Sequence, residues 1–464
     1  MATDLEKAYE VLTNKQKVYD RLFSYYEGDQ PLSYMNSSRM QKIFEGLDGY
    51  FSENWCAVVI DALKDRINLR SIEVKNADAA KTWESIFEAS KIELESDDVH
   101  EAELVAGEAY YVCWKDKDNE NMEGYYNDPR LCHIFYNPEF PRVKAFAAKW
   151  FVDDDEKRRI TLYYGDHLEY YISKGSAKDV TGASSFEAAN VAKAENPFGE
   201  IPVFHFRKAK QIRSDLKNAI PIQNATNKLV TDMMVAAEFG AFKQRYVISN
   251  AETQNKLKNA PDQIWDLPAG DGVGQQTQAG QFDATPLSNY LEAIEKQVVA
   301  ISSITRTPKH YFFQIGSNIS GEALIAMEAP LNKKAQDRID RYSPEWVNVV
   351  VFMLKHSGHK DIKPEDITPR FDRPETIQPY TQAQTRQLNT QAGVPLKTTL
   401  REEGKSEVEI KLVMKDVEEQ KTEDANLAQA YLDKARKNFD GPTQPPSNSD
   451  GTNLGEGNNG GQNA

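Results

Sequence analysis

Several residue groupings in this 464-residue chain are of types that could do chemistry. His356, His359 and Asp361 stand close enough to be weighed as a metal set. Gly358 interrupts the pattern and no zinc spacing fits, so a solvated helix C-terminus explains it better, with histidines near the negative dipole end. The run Gly270-Asp271-Gly272-Val273-Gly274-Gln275-Gln276-Thr277 has the glycines of a phosphate loop. It lacks the Lys-Ser/Thr pair and no helix follows, so a hairpin tip is the better reading. Asp153-Asp154-Asp155-Glu156, ahead of Lys157-Arg158-Arg159, lacks the glycine and terminal glutamate of a calcium loop and reads as a charged hairpin turn. Glu402 and Glu403 belong to a charged helical face. No nucleophile elbow, Ser-His-Asp order or Cys-His setting is recognisable. Enzyme activity therefore has no positive support, and no catalytic residue, cofactor or metal site is expected. Basic residues alternate with aromatics at Arg306, Lys309, His310, Tyr311, Phe312 and Phe313. Such a segment can touch nucleic acid, but by residue type alone the aromatics are better placed packing under the helix that follows.

The elements that would position these groups centre on residues 221–352. In residues 221–241, Ile222, Ala225, Leu229, Met233 and Ala236 recur at three- and four-residue steps, one face of a helix that Pro221 suits at its first position. A second helix, residues 287–305, carries Leu287, Tyr290, Leu291, Ile294, Val298, Ile301 and Ile304 at the same spacing until Thr307-Pro308 ends it. Between them, Tyr246-Val247-Ile248 and Ile264-Trp265-Asp266-Leu267 read as short strands bracketing the Gly- and Gln-rich stretch 270–280. After an uncharged loop, Ser320 is a good N-cap, and Ile319 can staple to Leu324. The third helix places Leu324, Met327, Leu331, Ala335, Ile339, Tyr342, Trp346, Val349 and Met353 on one face. Pro330 and Pro344 inside that run predict a long kinked helix or one broken near Ser343.

The flanking chain reads as α+β. The first ~25 residues are helical up to Gly28 and Pro31. Further helices are expected over 55–69, over 79–89 with Asp78 as N-cap, and over 99–104. Residues 108–172 are rich in aromatic and β-branched residues with Asp-Pro, Asn-Pro and Gly-Asp turns, predicting a twisted antiparallel sheet backed by those helices. Residues 175–195 read as a polar loop, 196–206 as extended chain, and 362–371 as a segment rejoining the sheet. Short helices are expected over 376–391 and 396–438, and the Gly-, Asn- and Ser-rich stretch 440–464 is expected to be disordered.

At this length two or three substructures are expected. No stretch approaches 18 uncharged apolar residues, which excludes a membrane-spanning helix by length, and the mean hydropathy is −0.65. MATDLEKAYE has neither the basic nor the apolar region of an export signal. Cys56, Cys113 and Cys132 form no C-x-x-C pair and are expected to be buried, reduced thiols. A net charge of −15 argues against tight general binding of nucleic acid, whose affinity comes from Lys and Arg displacing counterions. Any role with DNA must let it pass without holding it.

Three segments together resemble the portal, or head-to-tail connector, family of tailed bacteriophages. The first is Thr305-Arg306-Thr307-Pro308-Lys309-His310-Tyr311, then residues 314–318, then Ile319-Ser320-Gly321-Glu322-Ala323-Leu324. The second is Asn196-Pro197-Phe198-Gly199-Glu200-Ile201-Pro202-Val203 followed by Ser214-Asp215. The third is Tyr25-Tyr26-Glu27-Gly28, and the ordered resemblance spans about residues 22–417.

The resemblance implies a ring, usually of twelve subunits, at one capsid vertex of the virion, assembled in the host cytoplasm, through which double-stranded DNA is packaged and ejected. It implies a wing over residues 1–211, stem helices over 212–241 and 287–307, and a clip over 242–286. A tunnel loop would span 308–319, a long kinked helix with a return strand of the wing 320–375, a helical crown 376–439, and a disordered tail 440–464. The tunnel loop would present Lys309, His310, Gln314, Ser317 and Asn318 to the DNA. Subunit contacts in the stem would use Val230, Met234, Ala237, Ile294, Val298 and Ile301. Of these, Val230, Met234 and Ala237 form a secondary apolar line that a two-helix hairpin could not bury alone. Partner binding at the clip would use Tyr246, Ile264, Trp265 and Leu267. Implied partners are the terminase large subunit, which would hydrolyse ATP in this chain's stead, a head-tail adaptor, the major capsid protein and a scaffolding protein; no membrane is implied. The competing classes are a capsid-associated nucleic-acid-processing enzyme, which needs convergent carboxylates or a metal set, and a minor capsid protein that never forms a ring.

Overall fold

The computed structural model describes residues 2–30, 53–115, 121–241, 245–248, 278–313, 320–375, 379–403, 405 and 407–439. The chain divides into two units, Met1–Thr385 and Arg386–Ala464. In the first, α1 (Asp4–Glu27) opens on a capping box in which Thr3 and Glu6 satisfy each other's backbone N–H groups, and closes at Gly28 in the left-handed region with φ 88°. Then follow α2 (Trp55–Lys64), β1 (Leu69–Val74), α3 (Ala77–Ala89) and α4 (Ile92–Ala106). The helix expected over 55–69 stops short because residues from Leu69 pair as a strand. The N-cap of α3 is Asn76, whose side chain accepts from the N–H groups of Asp78 and Ala79, rather than Asp78. The fourth helix is far longer than residues 99–104, since burial of Ile92, Val99, Leu104 and Val105 outweighs its acidic composition.

The strands are β2 (Glu108–Lys115), β3 (Met122–Asn127), β4 (Cys132–Tyr136), β5 (Lys144–Val152), β6 (Arg158–Tyr163), β7 (His167–Ser173), β8 (Phe186–Glu195) and β9 (Val203–Arg207). They form two antiparallel sheets rather than one, in the orders β3-β2-β9 and β4-β5-β6-β7-β8. Residues 186–195, expected as loop, pair with β7 as an edge strand. Its side chains are mostly exposed, so composition hid it. β2 is buried on both faces, which its nearly continuous apolar run reflects. Tyr110 and Val112 pack with Cys132, Ile134, Ala147 and Leu168 of the larger sheet. Tyr111 and Cys113 face the helical core that contains Val105 and Trp346. The outer face of the larger sheet, with Phe146, Trp150, Ile160 and Leu162, is covered by Ala8 and Leu12 of α1. The layers are therefore helix, sheet, sheet, helices. The three cysteines are free and buried.

Next come α5 (Ala219–Ala241), β10 (Arg245–Ile248), β11 (Gln278–Gln281), α6 (Ser288–Thr305) and α7 (Gly321–His356). α7 is one unbroken helix of 36 residues, about 54 Å long, with Pro330 and Pro344 inside it. Of the two alternatives, one long helix or a break near Ser343, the structure has the long helix. Ser343 Oγ donates to Ile339 O at 2.7 Å, and the stripe Leu331, Ala335, Ile339, Tyr342, Trp346, Val349 and Met353 is buried, which offsets a cost of about 3 kcal/mol per internal proline. β12 (Ile367–Phe371) pairs antiparallel with β1 as a separate two-stranded sheet and does not rejoin the main one.

The second unit holds the end of α8 (Pro379–Gln391), α9 (Leu396–Glu402) and α10 (Glu407–Phe439). Gly393, at φ 78°, makes the turn after α8. α10 has 33 residues and is not short, and Leu427, Tyr431 and Leu432 along it are exposed. The stretch 440–464 lies outside the described residues. No described helix is long and apolar enough to cross a membrane.

Candidate functional site: a helical hairpin and the segments at its ends

α5 and α6 pack side by side, and α2 touches both. The buried face of α5 is Ile220, Gln223, Thr226, Asn227, Val230 and Thr231, a largely polar stripe. The amide of Gln223 accepts from Trp55 N at 2.9 Å and donates to Asn227 Oδ1 at 2.9 Å, while Tyr25 OH donates to Asn224 Oδ1 at 2.7 Å. These bonds seat the start of α5 against α1 and α2. The expected core face is less covered: Ile222, Leu229, Met233 and Ala236 are half-buried and Ala225 is exposed. Just before α5, the Asp215 carboxylate is gripped by Lys334 at 3.1 Å and by Arg338 of α7. Burial works against that charge, but Lys334, Arg338 and Lys208 outweigh it and hold the carboxyl below its ordinary range.

Burial fades along the hairpin. On α6, Ile294, Val298 and Ile301 are buried, while toward the far end Leu291, and Leu287 at the N-cap, are 57% and 39% exposed; Ile304, at the near end, is 50% exposed on another face. Four of the six residues expected at subunit contacts, Val230, Ile294, Val298 and Ile301, therefore lie in the subunit's own core, because this chain's other helices cover them. Only Met234, 36% exposed, and the half-buried Ala237 remain accessible from that set.

At the α6 end, Arg306 adopts φ 61°, and its N–H closes the helix on Ser302 O. Pro308 leads into a 3-10 turn, Lys309–Tyr311. Phe312 is buried and Phe312 and Phe313 lie 5.7 and 6.3 Å from Trp55, so the aromatics do pack as residue type suggested. Arg66 clamps the turn, donating to Tyr311 OH at 2.6 Å and to Asn332 Oδ1 at 2.8 Å and pairing with Glu328 at 3.2 Å. His310 also meets Glu328, at 3.2 Å, which leaves Lys309 as the exposed cation of the turn. Gln314, Ser317 and Asn318 lie outside the described residues, as does Ile319 of the expected staple. Beyond them Ser320 Oγ caps α7 by accepting from Ala323 N at 3.2 Å.

At the opposite end of the hairpin, β10 pairs antiparallel with β11. The partner of Tyr246-Val247-Ile248 is thus Gln278–Gln281, which has no strand propensity and read as turn. Tyr246 faces Gly280 across the ribbon, where any β-carbon would sit 2.5 Å from its ring. Tyr246 is 40% exposed and lies 5.2 Å from Phe282. Ile264, Trp265 and Leu267 lie outside the described residues.

The histidines weighed as a metal set turn apart, His356 toward Glu200 at 3.2 Å and His359 toward Thr82 Oγ1 at 2.9 Å. Among the described residues no group of three or more His, Cys, Asp or Glu is placed to hold a metal ion.

The family model described as phage portal protein, SPP1 Gp6-like, matches residues 6–427. The chain belongs to the phage portal protein family. That match takes in every described element of the hairpin, the turn after it and α7, so the geometry above is that of a portal chain. Among solved structures, a chain from the neck of an empty GTA particle, computed with C6 symmetry, aligns over 80% of this portal chain and 94% of its own length. Its TM-score is 0.44 and its identity 11%, too distant a likeness to carry an argument. No curated protein matches the portal chain.

Proposed function

We propose that this portal chain assembles into a closed ring, of about twelve copies by family analogy, at one vertex of the capsid. Double-stranded DNA enters and leaves through the channel of that ring. The observation that carries the reading is the family match over residues 6–427. The hairpin supports it physically: the start of α5 is fixed by buried hydrogen bonds and α6 packs along it, while Met234, Leu287 and Leu291 are left uncovered for a neighbouring copy.

In this reading residues 1–211 with β12 form the wing, α5 and α6 the stem, 242–286 the clip, 308–319 the tunnel loop and 376–439 the crown. The clip, with Tyr246 exposed on its ribbon, receives the terminase large subunit and later a head-tail adaptor. The wing and crown meet the major capsid protein and the scaffolding protein. The net charge of −15 suits a channel through which DNA slides: neutralising six to ten phosphates would make binding strong and salt-dependent. The chain's role is structural, without catalysis.

Negative-stain microscopy of the purified full-length protein tests the ring. Annular particles with a central opening wide enough for duplex DNA are the expected result. Monomers at every concentration would reject the reading.

A further inference from the structure

Beside the start of α5 and the end of α6, Lys208, Arg213, Arg306, Lys333, Lys334 and Arg338 line one cavity of about 610 Å³. Such a gathering of cations is unexpected in a chain of net charge −15. Only two carboxylates, Asp215 and Asp337, share the lining, and both are already engaged. Asp215 takes Lys334 at 3.1 Å, Lys208 at 3.7 Å and Arg338 closer still. Asp337 pairs with Arg341, at 3.4 Å, which is not part of the lining. Arg213 donates to the neutral Asn218 at 3.1 Å. Arg306 and Lys333 are exposed at the cavity and have no ion-pair partner among the described residues.

Two further observations bear on this cluster. Arg338 is 1% exposed; its Nη1 faces the buried Glu103 carboxylate at 3.7 Å, while its Nε has no hydrogen-bond partner among the described residues, so the floor of the cavity keeps one donor in reserve. Arg306 occupies the left-handed region at φ 61° and ψ 29°, a helix-end position where glycine or asparagine is usual. A β-carbon is strained there, and side chains held in such a conformation cluster at ligand clamps.

We propose that this cavity binds a phosphate-bearing ligand. Arg213, Arg306 and Lys333 take the phosphate oxygens, and Lys334 and Arg338, held from behind by Asp215, form the positive floor. A phosphate group presents several charged acceptor oxygens that match guanidinium forks, whereas one carboxylate would leave most of the surplus cations unmatched. The cavity is larger than a single phosphate needs, so the ligand is a strand phosphate with its sugar or a free polyphosphate. The site lies within one chain and does not depend on ring formation.

Calorimetric titration of the full-length protein with tripolyphosphate and, separately, with a short DNA duplex tests this, using wild type and the Arg306→Gln/Lys333→Gln variant. Each charge-assisted bond lost should weaken binding about tenfold or more, so the double variant should bind about a hundredfold less tightly. That loss with tripolyphosphate identifies a free-polyphosphate site. The same loss with the duplex, accompanied by a salt dependence shallower by about two charges, identifies a strand phosphate. Equal binding of both probes to wild type and variant overturns the proposal. So does a wild type that binds neither probe, and loss of self-association in the variant would then assign the cavity to a carboxylate of a second copy. Should the variant fail to fold, hydrogen exchange on the wild type decides: tripolyphosphate must protect residues 304–306 and 333–338, and absence of protection overturns the proposal.

Discussion

Replacing Arg338 with methionine should be the most damaging single change at the base of the hairpin. Arg338 is 1% exposed and ties three elements together: it sits on α7, pairs with Asp215 ahead of α5, and lies 3.7 Å from the fully buried Glu103 of α4. Methionine keeps most of the aliphatic volume, so the expected loss is electrostatic rather than a cavity. Asp215 keeps Lys334 and Lys208, but Glu103 keeps the hydroxyl of Tyr342 and the backbone N–H of Lys208, neither of which neutralises its buried charge. Breaking a buried pair from one side costs about 3–5 kcal/mol, a third or more of the stability of many domains. Burial already pushes the Glu103 carboxyl upward against the opposing pull of Arg338. Without the guanidinium it rises further. A carboxyl whose folded pKa is raised takes up a proton on folding, so the variant's deficit grows with pH by up to about 1.4 kcal/mol per unit above the wild-type Glu103 pKa. Urea unfolding followed by tryptophan fluorescence reads this, with buried Trp346 two turns further along α7 as a reporter. Adding Glu103→Gln should remove the growth with pH. An Arg338→Met protein within 1 kcal/mol of wild type at neutral pH, or a deficit that shrinks as pH rises, would refute the reasoning.

Met234→Asp, on the uncovered part of α5, should leave the monomer folded and abolish rings; rings of normal mass in native mass spectrometry would count against the proposed stem contact. His100 and His133 are pushed by burial down to about 3, so they stay neutral in the folded chain while the unfolded chain protonates below about 6.5. Stability should therefore fall with decreasing pH below 6.5, by about 1.4 kcal/mol per unit for each histidine, and denaturation midpoints that stay flat from pH 7 to pH 5 would exclude this. Gly107 has φ 92°, and a β-carbon there would sit 2.7 Å from the Arg213 backbone. Gly107→Ala should cost about 3 kcal/mol, read as a lowered thermal midpoint, and an unchanged midpoint would show that the approach of α4 to residues 213–214 is not tight.

Periodicity made the long helices legible because their apolar residues recur over many turns, as Leu331 to Met353 do on α7. It left the prolines open between a kink and a break, which packing of that stripe decides by holding α7 continuous through Pro344. It also missed the polar face of α5: Gln223, Asn224, Thr226, Asn227 and Thr231 look like a solvated surface until Trp55 and Glu53, which bond Gln223, and Tyr25, which bonds Asn224, all distant in sequence, supply their surroundings. β8 and β11 were illegible for a related reason. An edge strand with one buried side chain, Phe186, and otherwise mostly exposed ones, and a ribbon strand of Gln-Ala-Gly-Gln, are held mainly by backbone pairing, which leaves no apolar alternation to read. The basic cavity was equally hidden, because its cations come from separate segments around residues 208–213, 306 and 333–338.

The distribution of polar and apolar residues along the hairpin bears on assembly more than its total hydrophobicity does. Where α5 leaves the body of its unit, amide and hydroxyl groups are buried and bonded, and such bonds are directional. An apolar face could slide by a turn at little cost; a Gln223 that must meet both Trp55 N and Asn227 Oδ1 cannot. The buried ionic cluster of Asp215, Lys334 and Arg338 adds a second constraint on the same end. Farther along, the hydrogen-bonded anchors give way to Met234, Leu287 and Leu291, which are apolar, exposed and tolerant of small shifts. A hairpin fixed in direction at one end and adhesive along its free flank is suited to repeating one angle between copies, and a ring closes only if that angle is the same at every contact.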